Sequence, residues 1–440
     1  MRLLCVPYFL LIAMAPGCVT PSPNVIIESQ TNLSGDPVNI RIENAPETVR
    51  ITAERAWGWQ TKALHRSTAL FQSDSGLIDV GELAPISGTY SGVAPAGLFW
   101  SMQATEDAVS EGQSSDIVNI DFDFRDDGII DFSTQVTLAS GNDNFEQVDV
   151  TPELPGAFLY IPNGIERPPV IIAMGGSEGG DRSARQSGAK FASRGYAVLG
   201  LPYYSPAYGS SAPQFPDLPQ TFVDIPVDKI EIARDWLRQR DDVDASRLAL
   251  YGISKGAEFA LIAASKIDGI GAVIAIVPSD VVWEGWGSSA DPGTTSSFSW
   301  RGEPLPFLPY YKMNEEIAKF SNPNANPRMR TPHDAGRETY PERIEAARIP
   351  VESINAPVFL VGGDKDDVWA SGPMARNIKK ARDAVGLQTD VYVDERAGHY
   401  LSGDGYSPML SFIDEVDAAA EAQLRVIAWR ELLSFLEENL

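Results

Sequence analysis

Ser254 lies in Tyr251-Gly252-Ile253-Ser254-Lys255-Gly256-Ala257, a G-x-S-x-G pattern with a strand-like run before it, Arg247 to Ile253, and a helix-like run after it, Lys255 to Ile267. A strand that turns directly into a helix needs glycines where the two backbones cross, and it holds the serine oxygen out where an electrophile can reach it. That is the placement of a nucleophile for acyl chemistry. A neutral hydroxyl attacks poorly, so it needs a general base, here a histidine oriented by a carboxylate. The chain has three histidines. His65 falls among short strands and His333 between polar residues, so both are expected to be ordinary surface or loop side chains. His399, in Arg396-Ala397-Gly398-His399-Tyr400, follows the strand-like run Thr389 to Val393 and is the expected base. The acid is expected after the run Val358 to Val361, where Gly362-Gly363-Asp364-Lys365-Asp366-Asp367-Val368-Trp369 offers three aspartates. Asp366, three residues past Gly363, is preferred, Asp367 comes second and Asp364 third. The chain order Ser, Asp, His is that of an α/β-hydrolase and differs from the chymotrypsin-like and subtilisin-like orders.

A second G-x-S-x-G occurs at Gly175-Gly176-Ser177-Glu178-Gly179. It follows the first strongly apolar run of the C-terminal half, Pro169 to Met174, whereas Ser254 follows the third strand of the alternating pattern. In a doubly wound hydrolase sheet the earlier loop supplies a backbone N–H to the oxyanion hole and the later elbow supplies the nucleophile. The hole is therefore assigned to the N–H groups of Lys255 and of the Gly176–Ser177 region.

From about Ser140 strands alternate with helices, the signature of a parallel sheet wrapped by crossovers. The expected elements are a strand over Val170–Met174, a helix over Ser183–Arg194, a strand over Tyr196–Leu201, a helix over Asp228–Gln239, and strands over Leu248–Gly252 and Gly271–Val277. The period then breaks. Residues 279–355 carry Trp283, Trp286, Trp300, Phe307, Tyr310 and Tyr311 among prolines and glycines, which reads either as an aromatic lid over an acyl pocket or as a structural cap. Residues 33–139 instead show short alternating runs, such as Val38 to Ile42, Val49 to Ala53 and Ile120 to Phe124, broken by turn signals. They predict an immunoglobulin-like β-sandwich domain before the α/β-hydrolase domain of residues 140–440. Asp121, Asp123, Asp126 and Asp127 could suggest calcium, but Arg125 stands where a ligand would be needed. The alternation places these aspartates on the solvent face of a hairpin, so no metal is expected.

At 440 residues and 43% hydrophobic, the chain can bury more than one core. Its net charge of −25 repels phosphate backbones and anionic headgroups, which argues against nucleic-acid binding. Met1-Arg2, followed by the apolar run Leu3 to Ala15, reads as a signal peptide ending in Ala15-Pro16-Gly17-Cys18. That ending resembles a lipobox, in which the cysteine is acylated and becomes the new N-terminus, although Ala15 and Pro16 depart from the usual pattern. Cys5 and Cys18 are the only cysteines, so the processed chain would keep one and form no internal disulfide. Residues 19–32, rich in Pro, Ser and Thr, are expected to be a linker from anchor to folded body. The expected address is the cell envelope, at the outer membrane in a cell with two membranes.

With these residues in place, the chain resembles the acyl-CoA thioester hydrolase and bile acid-CoA:amino acid N-acyltransferase family. The likeness rests on Gly88 to Met102, on Gly252-Ile253-Ser254-Lys255-Gly256-Ala257-Glu258, on the loop from Asp366 through Trp369 and Ser371, and on Gly398-His399-Tyr400. The resemblance implies a small-molecule acyl ester or thioester substrate and no metal or organic cofactor. It further implies hydrolysis over conjugation, because the conjugating members carry cysteine where Ser254 stands. Acyl transfer to an amine or sugar acceptor and a non-catalytic envelope binding protein are the alternatives, and oligomeric state is left open.

Overall fold

The computed structural model describes residues 21–440 except 59–61, 74, 111–112, 151, 208–210, 320–321, 323–324, 326 and 410–414. Cys5, Cys18 and the expected signal segment lie outside the described residues.

The N-terminal part is built on period-two burial. In Val38–Glu43 the side chains of Val38, Ile40 and Ile42 point inward and Asn39 and Arg41 outward, and Thr48–Trp57 repeats the pattern with Val49, Ile51 and Ala53. One antiparallel sheet orders Asn24–Ser29, Val38–Glu43 and Leu77–Asp79. The facing sheet orders Ser87–Gly88, Ala63–Gln72, Thr48–Trp57, Ile117–Asp123 and Phe132–Thr137, with Gln103–Ala104 also on Ala63–Gln72. Their inner faces share one apolar core, which makes a sandwich. The expected linker over residues 19–32 is corrected here. Asn24–Ser29 is a strand, because Val25, Ile26 and Ile27 gain a six-residue antiparallel ladder with Val38–Glu43 that outweighs the flanking Pro and Ser signals.

The second part is an eight-stranded sheet in the order Phe145–Asp149, Phe158–Pro162, Ala197–Gly200, Pro169–Met174, Asp244–Ile253, Ala272–Ile276, Val358–Gly363 and Thr389–Asp394. The first two pairings are antiparallel and the rest parallel. Alternate residues feed two cores: Val170, Ile172 and Met174 face one layer of helices, Ile171 and Ala173 the other. This is the α/β-hydrolase sheet. The expected helices and strands fall within a few residues of those observed, for instance Arg182–Ala192 and Lys229–Leu237.

Helix Ala418–Asn439 joins the two parts. Its Ala422, with Ala419 and Val426 beside it, packs on the sandwich core, while Leu424, Trp429, Leu432, Phe435 and Leu436 pack on the sheet. Tyr406, in the segment before that helix, enters the sandwich core and stacks on Phe99 at 5.4 Å. Arg55 of the sandwich donates to the Tyr406 carbonyl at 3.1 Å, and Arg194 of the hydrolase part pairs with Asp36 at 2.7 Å. The two parts therefore share apolar and ionic contacts directly. Among these contacts is the Gly97–Trp100 turn of helix, inside the stretch on which the family likeness rests.

The described residues of 279–355 form a cap with its own core of Val281, Trp283, Leu308, Tyr310 and Ala347, completed by Trp369 and Met374. It contains helices Met313–Ala318, Arg330–Thr339 and Pro341–Ala347 and a small sheet of Phe298–Trp300 with Ile225–Pro226 and Glu303–Pro304.

Candidate active site

Ser254 sits between strand Asp244–Ile253 and helix Lys255–Ala264 with φ 55° and ψ −119°, a conformation that side-chain-bearing residues rarely adopt. The turn is tight enough that a Cβ on Gly252 would lie 2.0 Å from the Gly256 carbonyl, and a Cβ on Gly256 would lie 2.3 Å from that of Gly175. Only hydrogen fits at either position. The strained serine is held by its own N–H, donated to Ile276 O on the neighbouring strand at 2.9 Å.

Parallel strands bring the other two groups to the same edge of the sheet. His399 follows strand Thr389–Asp394, and its Nε2 is 3.1 Å from Ser254 Oγ. On its other side, Nδ1 is 2.9 Å from Asp366 Oδ1 and 2.8 Å from Oδ2. Asp366 is fully buried in the loop after Val358–Gly363, where its Oδ1 also accepts the N–H groups of Val368 at 2.9 Å and Trp369 at 3.1 Å. The other aspartates are placed differently. Asp364 forms a bidentate pair with Arg376 at 2.7 and 3.0 Å, and the His399 ring bonds the carboxylate of Asp366 rather than that of Asp367. The loops of Asp366 and His399 approach so closely that a Cβ on Gly363 would lie 2.3 Å from Ala397 O and 2.4 Å from Gly398 O.

Burial by itself would favour neutral His399. The charge of Asp366 and its hydrogen bond, with Asp367 and Glu421 further off, more than reverse this and raise the imidazole above its ordinary value. A base must be neutral to take a proton. Hence kcat/KM should rise with pH through a group above the usual imidazole value of about 6.5 and then level off. A pH–rate profile checks this. An acid limb at or below that value contradicts the geometry, and in Asp366→Asn the limb should move to lower pH.

The expected oxyanion donors are less uniform. Lys255 is the first residue of the elbow helix, where an N–H has no partner one turn back. The Gly176 N–H is instead donated to Glu178 Oε1 at 3.1 Å. A Cβ on Gly176 would be 2.8 Å from Glu178 Oε2 and 3.2 Å from Ser254 Cβ, so a carboxylate flanks the nucleophile. Ser177 is exposed on the same loop. In this arrangement, use of the Gly176 N–H as an oxyanion donor requires Glu178 to turn away.

Several side-chain contacts near this site have no signal in the sequence. Lys255 Nζ pairs with Glu258 Oε2 at 2.7 Å and donates to Ser297 Oγ at 3.1 Å, while Glu258 Oε1 accepts the Trp283 N–H at 3.0 Å. Burial opposes both charges, lowering the Lys255 pKa and raising that of Glu258, and it makes the pair dependent on its geometry. The link ties the elbow helix to residues 279–355. Two histidine expectations are corrected. His65 is buried on strand Ala63–Gln72, with Nδ1 3.0 Å from Ala63 O. His333 is buried among Trp283, Tyr310 and Trp369, and burial pushes its pKa down to about 3. Asp123 also departs from the expected solvent face: it is buried and its carboxylate accepts the N–H groups of Arg125 and Gly128, closing the hairpin turn.

A buried serine on a strained strand–helix elbow, one hydrogen bond from a histidine that is itself bonded to a carboxylate, on a doubly wound sheet, defines an α/β-hydrolase. Residues 35–135 match the acyl-CoA thioester hydrolase/BAAT N-terminal region, and residues 225–440 match the BAAT/acyl-CoA thioester hydrolase C-terminal region. The chain belongs to this family, and it is an enzyme of the hydrolase class acting on ester or thioester bonds. It is 26% identical over 440 residues to acyl-coenzyme A thioesterase 5 of Mus musculus, covering 95% of this chain and 97% of that one. To mitochondrial acyl-coenzyme A thioesterase 2 of Homo sapiens it is 23% identical over 445 residues, covering 92% and 82%. Among solved structures, an acylaminoacyl peptidase bound to a chloromethyl ketone superposes with a TM-score of 0.43 at 11% identity, covering 96% of this chain and 57% of that one.

Proposed function

We propose that this protein hydrolyses acyl thioesters or esters through an acyl-Ser254 intermediate. The observation that carries the reading is the unbroken line Ser254 Oγ, His399 Nε2, His399 Nδ1, Asp366 Oδ2, with spacings of 3.1 and 2.8 Å. Ser254 Oγ attacks the acyl carbonyl carbon while His399 Nε2 takes its proton, and Asp366 stabilises the imidazolium and fixes its tautomer. The negative oxygen of the tetrahedral adduct is received by the Lys255 N–H and by an N–H of the Gly176–Ser177 turn. Collapse breaks the bond to sulfur or oxygen, and the imidazolium protonates the departing group. Neutral His399 then takes a proton from water, which attacks the acyl-serine, and the free acid leaves with Ser254 Oγ reprotonated.

Serine at position 254 supports water as the acceptor, since an acyl oxygen ester is less open to amines than a thioester. The relatives are named as acyl-coenzyme A thioesterases. Their names favour a thioester, while the expected export signal favours an oxygen ester in a compartment poor in coenzyme A. The test is product analysis with acyl-CoA, acyl-pantetheine and acyl-glycerol substrates, with and without glycine, taurine or a sugar. Free acid from at least one class, unchanged in amount when acceptors are added, is expected. Conjugates formed in place of free acid would establish acyl transfer.

The anchored location is part of the same proposal. If Cys18 is acylated, the protein should partition into detergent, and Cys18→Ser should release or misprocess it. Soluble wild-type protein, cleaved after a residue other than Gly17, would remove the lipid anchor and leave the chemistry untouched.

A further inference from the structure

The loop that carries Asp366 turns its carboxylate inward, to His399 and to the N–H groups of Val368 and Trp369. Its carbonyls point the other way. Three of them meet one residue of another element: Arg330 Nη1 donates to Asp364 O at 2.7 Å and to Asp366 O at 3.0 Å, and the Arg330 backbone N–H donates to Asp367 O at 2.7 Å. The guanidinium is itself fixed, because Nε donates to Asp334 Oδ2 at 2.9 Å one turn along helix Arg330–Thr339. Carbonyls at 364, 366 and 367 belong to a segment with no ladder partner at those positions, and a planar guanidinium anchored through Nε holds the two N–H bonds of Nη1 in fixed directions, where an ammonium on a flexible stem is not pre-organised.

We propose that Arg330 is a positioning residue for the acid: by gathering the carbonyls of Asp364, Asp366 and Asp367 it fixes the Asp366 carboxylate against His399. The insertion is thereby part of the catalytic framework. It holds the elbow helix through Glu258 and Trp283 and the acid loop through Arg330, so the cap cannot be shifted without disturbing both. The inference rests on the triad reading, but its readout does not. A loosened loop withdraws Asp366 while leaving the acyl-binding surfaces in place, so the loss should fall on kcat and not on KM, by about a hundredfold for a displacement near 1 Å.

The experiment is proton NMR of the full-length protein, in which three histidines make assignment of His399 practical by comparison with His399→Gln. Wild type should show a strongly downfield Nδ1 proton shared with Asp366. In Arg330→Met that signal should broaden or vanish in a protein of unchanged near-ultraviolet circular dichroism, and the His399 titration should move down. Loss of a nearby cation by itself would move it up, so a downward move reports withdrawal of Asp366. The charged groups Asp366, Asp367 and Glu421 that raise the His399 pKa are unaltered in this variant. Arg330→Lys, which keeps the charge but not the fork, and Asp334→Ala, which frees Nε, should move the same signals less far and serve if Arg330→Met does not fold. An unchanged downfield proton, His399 titration and kcat in these variants would overturn the proposal. Activity persisting in Ser254→Ala would instead overturn the triad reading and leave the NMR result to decide the role of Arg330.

Discussion

Ser254→Ala is expected to lower kcat by four to six orders of magnitude, about the loss seen when a serine hydrolase is left with only its oxyanion donors and binding surface. The size follows from geometry. Ser254 is the one hydroxyl within hydrogen-bonding distance of His399 Nε2 among the described residues. Removing it leaves the base with no covalent route to the acyl group, so residual turnover has to come from water. The substitution removes one buried oxygen and no cap or ion pair, so the fold should persist and KM should change little. Steady-state kinetics with a thermal unfolding control separate this from simple destabilisation.

The second large effect is at the acid. Asp366→Asn keeps the volume of the buried side chain but offers an amide where His399 Nδ1 needs an acceptor, which favours the tautomer that cannot accept from Ser254. kcat should fall by up to about four orders of magnitude. The asparagine oxygen can still accept from Val368 and Trp369, so the loop should hold. Asp364→Asn provides the comparison. That carboxylate pairs with half-exposed Arg376 at the surface, and its loss should have a small effect, as expected of an exposed ion pair. Equal losses in the two variants would show that the geometry around Asp366 does not carry the chemistry.

The features legible in the sequence are those written in local pattern. Glycines two residues either side of Ser254 announce the elbow because the crossing backbones leave no room for a Cβ, and Gly363 marks the acid loop for the same reason. Alternating strands and helices announce the sheet, and the scarcity of histidine reduces the search for a base to three positions. What escapes is contact between distant segments. Arg330 is 36 residues from Asp366 in sequence, within a stretch whose prolines, glycines and aromatics have no period, and nothing local marks its fork as holding another loop. His333 looks like a polar loop residue until Trp283, Tyr310 and Trp369 close around it. Helix Ala418–Asn439 is hard to read because it serves two cores, so its apolar residues do not fall on one stripe. The strand Asn24–Ser29 hides its β-branched run behind proline and serine, and only the ladder with Val38–Glu43 decides between tether and strand.

The most direct test of the central claim is covalent labelling. A fluorophosphonate reacts with a serine only where a neighbouring base activates its hydroxyl, and it requires no knowledge of the natural substrate. Peptide mapping of the labelled folded protein should place the phosphonyl group on Ser254 and leave Ser177 of the second G-x-S-x-G unmodified, with labelling abolished in His399→Ala. A folded protein that leaves Ser254 unmodified, or carries the label on Ser177, would contradict the account.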